Sequence, residues 1–113
     1  MHEMSLAEGV VKICEDAARA QGFSRVKALW LEIGPMAGVE VDALRFCLDV
    51  VARGTLAEDA RLEIVETAGR GFCLQCCKPV AVRERYDACP ECGSYQVQVT
   101  GGDEMRVKEL EVE

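Results

Sequence analysis

Apolar residues at the start of the chain fall on one helical stripe: Leu6, Val10, Ile13 and Ala17 recur at three- and four-residue spacing. Just ahead of them Ser5-Leu6-Ala7-Glu8 has the form of a capping box, Ser5 as N-cap and Glu8 reaching back to its amide. Gly22 is a suitable stop. The pattern predicts a helix from about Ser5 to Gln21, with the first three or four residues lying ahead of it. Val26 to Ile33 then reads as a strand. Leu29, Leu31 and Ile33 line one face and Val26, Ala28 and Trp30 the other, so both faces are expected to be partly covered.

Gly34-Pro35 ends that strand, and a loop continues through Gly38. A second helix is expected from near Asp42, a good N-cap, with Leu44, Cys47, Leu48 and Val51 as its buried stripe and Gly54 closing it. Arg61 to Glu66 predicts a second strand with Leu62 and Ile64 inward. Tyr95 to Val99 predicts another, and Glu104 to Glu113 a last one. In that last strand Met105 and Val107 alternate in one phase and Leu110 and Val112 in the other, which calls for a bulge or a change of exposure. Cys14 and Cys47 lie on or beside the helical stripes and read as small core residues.

Between these elements stands a different kind of signal. Cys73-Leu74-Gln75-Cys76 is followed, after twelve residues, by Cys89-Pro90-Glu91-Cys92. Each pair offers two thiolates from one tight turn, and a hairpin between the pairs brings four around one tetrahedral ion. Zn(II) suits that ligand set, with Cys73, Cys76, Cys89 and Cys92 as its ligands. Such a site has no open position, so the zinc is structural. Cys77 stands where Gly93 stands after the second pair. Adjacent side chains in a turn diverge, so Cys77 is read as a spectator or an exchangeable ligand rather than a fifth member.

Glycines flank this stretch on both sides, at Ala68-Gly69-Arg70-Gly71 and Thr100-Gly101-Gly102-Asp103. The expected architecture is therefore α+β: two helices packed on a small three-stranded sheet, with an inserted four-cysteine zinc-ribbon domain. Residues 70–99 form the insertion, and residues 1–69 plus 100–113 form the α/β domain that carries it.

Charge narrows the function. The chain has net charge −7. Residues 1–69 carry 7 basic and 12 acidic groups, 70–99 carry 4 and 3, and 100–113 carry 2 and 5. No basic stripe is available for a phosphate backbone, which argues against nucleic acid. No apolar run is long enough for a membrane span, and the N-terminus lacks the pattern of a signal peptide. Seven cysteines in that context point to a reducing, cytoplasmic setting with metal-bound thiolates. With His2 the only histidine, motifs that need a second or internal histidine are missing, and the chain is not expected to be an enzyme.

His2 itself has two readings. It is an ordinary free terminus, or it is a chelator. The α-amine of Met1, the backbone nitrogen of His2 and its imidazole can close fused small rings around one ion. Nitrogen donors of that kind favour square-planar Ni(II) or Cu(II). The Glu3 amide or a nearby carboxylate is available for the fourth position.

Met1-His2-Glu3 at the start, the stretch Val39-Glu40-Val41-Asp42-Ala43-Leu44-Arg45-Phe46-Cys47, the two cysteine pairs and the closing Glu104-Met105-Arg106-Val107 together resemble the HypA/HybF family. These are nickel metallochaperones of NiFe-hydrogenase maturation. The likeness extends over essentially the whole chain. It implies that His2 is the indispensable Ni(II) ligand, assisted by backbone nitrogens and the Met1 amine, and that Glu3 shapes the site and its partner contacts. It implies a nickel link for Glu40 and zinc for the four paired cysteines. The partners implied are the GTPase HypB and a hydrogenase large-subunit precursor. Cys77 departs from the family pattern. The competing function is a zinc-ribbon interaction module with no transferable metal.

Overall fold

The structure is a computed structural model that describes residues 2–113. Two helices and two three-stranded sheets make up the fold. They follow the order α1 (His2–Gln21), β1 (Val26–Ile33), α2 (Val41–Ala52), β2 (Arg61–Glu66), β3 (Arg70–Cys73), β4 (Lys78–Ala81), β5 (Val97–Gly101) and β6 (Met105–Val112). One sheet has the order β2-β1-β6, the other β4-β3-β5. The chain divides into two compact units. The first comprises residues up to Leu31, Val39–Ile64 and Val107–Glu113; the second comprises Glu32–Gly38 and Val65–Arg106.

The first unit is held by its apolar stripes. Ala7, Val10, Val11 and Cys14 of α1 and Leu44, Cys47, Leu48 and Ala52 of α2 are buried, together with Val26, Ala28, Leu29 and Leu31 of β1. Leu31 and Leu44 are wholly buried, each contributing about 1.5–3 kcal/mol to folding. Cys14 and Cys47 are core residues, and burial pushes the Cys14 thiol up. Both faces of β1 are covered, as the strand's continuous apolar run requires. Leu62 and Ile64 are only half-buried, because β2 is an edge strand. In β6 the half-buried positions are Met105, Val107 and then Leu110, so exposure changes phase across Lys108-Glu109.

Several bounds differ from the sequence expectation: the strand expected over Tyr95–Val99 runs from Val97 to Gly101, and the last strand is shorter by one residue at each end. The helix α1 begins at His2, and Ser5 lies inside it rather than at its cap. The capping box is a local signal, and a contact from elsewhere in the chain overrides it, as described below. The second helix starts two residues earlier than Asp42 as N-cap would have it, with Glu40 as N-cap residue in extended conformation. A four-residue strand, β4, occupies Lys78–Ala81, where only Val80 is buried. It places the hairpin turn across the first cysteine pair rather than between the pairs.

In the second unit, β3 pairs antiparallel with β4, Cys73 opposite Lys78, and with β5, Cys73 opposite Val97. A small core of Met36, Cys73, Val80, Val82 and Cys89 is packed with the half-buried Cys76, Val97 and Val99. Gly34, Gly69 and Gly102 meet within this unit. A Cβ on Gly34 would collide with the Gly102 carbonyl, and one on Gly69 with the Val82 carbonyl.

Candidate metal sites

The first cysteine pair lies in the β3–β4 turn and the second in a matching turn over residues 89–93. Each turn closes with the same bond: the Cys77 N–H donates to the Cys73 carbonyl and the Gly93 N–H to the Cys89 carbonyl, both at 2.8 Å. Inside each turn an amide points at the leading sulfur, Cys76 N–H to Cys73 Sγ at 3.3 Å and Glu91 N–H to Cys89 Sγ at 3.4 Å. The backbone has to take positive φ to close such a turn, and it does so at Cys77 (φ 55) and Gly93 (φ 76).

These turns bring Cys73, Cys76, Cys89 and Cys92 together, with all four sulfurs within 4.8 Å of one another. Cys73 Sγ lies 3.7 Å from Cys92 Sγ, and Cys76 Sγ 3.9 Å from Cys89 Sγ. A tetrahedron with zinc–sulfur bonds of about 2.3 Å has edges of about 3.8 Å, so the donor set fits zinc in chemistry and in size. Cys77 stands apart, exposed, with its thiol directed at the Leu74 carbonyl at 3.5 Å.

Without an ion, Cys76 and Cys89 are shifted in opposite directions. The N–H groups of Cys92 and then Glu91 lower the Cys89 thiol to about 7. Cys76 is pushed up to about 12, first by its hydrogen bond with the Cys92 sulfur and then by burial and the other two thiols. A dication reverses this logic by stabilising every thiolate at once.

The other candidate residues meet at the start of the first unit. His2 opens α1 with its side chain 57 % exposed, while the Glu3 side chain is only 12 % exposed. Glu3 Oε2 accepts the backbone N–H of Glu40 at 3.1 Å and lies 3.8 Å from His2 Nδ1. The Glu40 N–H is the principal reason that the Glu3 carboxyl is held below its ordinary value. The structure therefore joins Glu3 to Glu40 through a backbone amide, while the Glu40 side chain is exposed and makes no cap bond. The contact spans 37 positions, and no local spacing signals it. Met1 lies outside the described residues. A cavity of about 250 Å³ among Val10, Val11, Leu29, Leu48 and Leu62 is lined by none of these residues.

A family model described as "Hydrogenase/urease nickel incorporation, metallochaperone, hypA" matches residues 1–112. The chain belongs to the HypA family. It is 68 % identical to the hydrogenase maturation factor HypA of Azotobacter chroococcum mcd 1 and 66 % identical to that of Azotobacter vinelandii, over the full length of each. The Ni metallochaperone HypA from Helicobacter pylori shares its fold, with TM-score 0.75 and 25 % identity, covering 99 % of this chain and 97 % of that one. HypA is a family of metallochaperones rather than catalysts. No helix among the described residues is long and apolar enough to cross a membrane.

Proposed function

We propose that this chain binds Ni(II) at its N-terminus and delivers it during NiFe-hydrogenase maturation, while zinc holds the ribbon in shape. The observation that carries the nickel reading is the placement of His2. It stands exposed in the first turn of a helix, beside a carboxylate. The leading amides of a helix have no intrahelical acceptor, so the backbone nitrogens of His2 and Glu3 are not committed to the helix ladder. The chelate consists of the Met1 amine, the His2 backbone nitrogen and the His2 imidazole, with Glu3 shaping the site and Glu40 close by. Nickel is cargo and must leave again. An affinity near micromolar, about −8 kcal/mol, suits a terminal chelate open to solvent.

Zinc belongs to Cys73, Cys76, Cys89 and Cys92. The segment 70–99 is an insertion in the α/β domain formed by 1–69 and 100–113, and it is too small to fold on its own apolar burial. A structural zinc ion supplies roughly 10–16 kcal/mol of apparent binding energy to such a piece. The cargo passes, in the cytoplasm, between the GTPase HypB and a hydrogenase large-subunit precursor.

The test is a nickel titration of untagged protein beside His2→Ala and a variant extended ahead of Met1. Both changes should abolish one equivalent of nickel and leave zinc content unaltered. Equal nickel uptake by all three proteins would overturn the assignment to His2.

A further inference from the structure

The cavity of about 250 Å³ draws its lining from both helices and from strands β1 and β2, all within the first unit. Its floor is Val10 and Val11 of α1, Leu29 of β1, and Leu48 and Ala52 of α2, every one of them apolar and buried. Such side chains offer water no hydrogen bonds, and an apolar cavity of roughly 150 Å³ takes up benzene in preference to water. A space of about 250 Å³ admits a larger apolar body, of about eight to ten heavy atoms.

The rim is charged: Arg45, Asp49 and Asp59 line it and are exposed. Asp49 already accepts from the Arg53 guanidinium at 3.1 Å. Arg45 donates from Nη1 to the Leu62 carbonyl at 3.2 Å, which ties the guanidinium to the backbone of another lining residue. In a chain with 20 acidic and 13 basic residues, it has no carboxylate partner among the described residues. Its remaining donors are free for a carboxylate, which a guanidinium binds through two parallel hydrogen bonds. We propose that this cavity binds a small apolar monocarboxylate, its body among the floor residues and its carboxylate on Arg45. A second charge on the ligand would be buried in the floor or would face Asp59, so dicarboxylates and phosphates fit badly. The site is separate from both metal sites and does not depend on the nickel reading.

The test titrates the zinc-loaded full chain with octanoate, 1-octanol and octylamine, following the methyl resonances of Val10, Leu29 and Leu48. Octanoate should shift these methyls saturably and leave the metal content unchanged. Arg45→Gln keeps an N–H donor for the Leu62 carbonyl but removes the charge. It should weaken octanoate roughly 10-fold and leave octanol unaltered. Ala60→Leu adds bulk at a half-buried position of the lining and should weaken octanoate and octanol together. Three results would each overturn the proposal: no saturable shift with octanoate, octylamine bound as tightly, or equal octanoate affinity in wild type and Arg45→Gln. So would octanoate binding that Ala60→Leu leaves unchanged. None of these outcomes bears on the nickel reading, which His2→Ala decides.

Discussion

Cys77 and Gly93 occupy equivalent places in two successive turns, one with a side chain and one without. Both have positive φ, 55 and 76, and both return their N–H to the carbonyl of the leading cysteine at 2.8 Å. The left-handed conformation costs an L-residue about 1–2 kcal/mol, while a glycine there adds entropy to the unfolded chain. Cys77→Gly should therefore raise stability by about 0.5–1 kcal/mol and leave one equivalent of zinc in place. Denaturation of the zinc-loaded protein, with metal content by chelator assay, checks both parts. Loss of zinc from Cys77→Gly would show that Cys77 is a ligand after all.

Among the four clustered sulfurs, Cys73 is wholly buried beneath Val80, Val82 and Cys89, whereas Cys92 is exposed. Serine at either position removes a soft ligand, and both variants should lose tight zinc binding. Their structural cost should differ. Cys73→Ser also buries a hydroxyl among apolar side chains, a further loss of about 1–3 kcal/mol, while the Cys92→Ser hydroxyl stays hydrated. Amide exchange across β3–β5 should thus be faster in Cys73→Ser than in Cys92→Ser when both are stripped of metal. Equal exchange would mean that burying a hydroxyl at position 73 adds no cost to this sheet.

The elements most readable from sequence were those whose order is local. The bounds of β1 and β2 agree with the observed strands, because their apolar runs end at Gly34-Pro35 and at the polar flanks of Arg61 and Glu66. The cysteine cluster was legible for the same reason: two tight turns specify it. The missed features depend on distant partners. Ser5-x-x-Glu8 has the composition of a helix start, yet α1 begins at His2, with Glu3 anchored to the Glu40 amide. Strand β4 contains Pro79 and one buried residue, so it has little pattern of its own and forms by pairing with β3. The nearness of His2, Glu3 and the backbone of Glu40 has no signature in spacing at all.

Gly22 and Gly102 share a left-handed conformation, φ 77 and 88, but not their surroundings. A Cβ on Gly22 would meet nothing within 4 Å, whereas one on Gly102 would lie 2.5 Å from Gly69 Cα and 2.9 Å from the Ala68 carbonyl. Gly22→Ala should cost only the conformational term, about 1–2 kcal/mol. Gly102→Ala adds overpacking against backbone that cannot yield as a side chain does, for a total of about 2–4 kcal/mol. Urea denaturation of both variants separates the two effects. Equal losses would mean that the approach of Gly69 to Gly102 is not a constraint on the fold.

The bond from Glu40 N–H to Glu3 has a pH signature. It favours the charged carboxylate, so the Glu3 carboxyl in the folded chain titrates below its ordinary 4.5. A depressed carboxyl contributes stability that is fully present above the unfolded value and is lost as pH falls through the folded one. At neutral pH the acceptor is therefore a carboxylate, and acid should weaken the bond, by making the acceptor neutral, only below 4.5. The Glu40 amide proton reports this directly: its shift should follow a midpoint under 4.5 in the wild type. In Glu3→Gln the acceptor is uncharged at every pH, so the amide should remain bonded and that step should vanish. A wild-type midpoint at or above 4.5, or an unchanged step in Glu3→Gln, would separate the Glu40 amide from Glu3 and remove the link between the two helix starts.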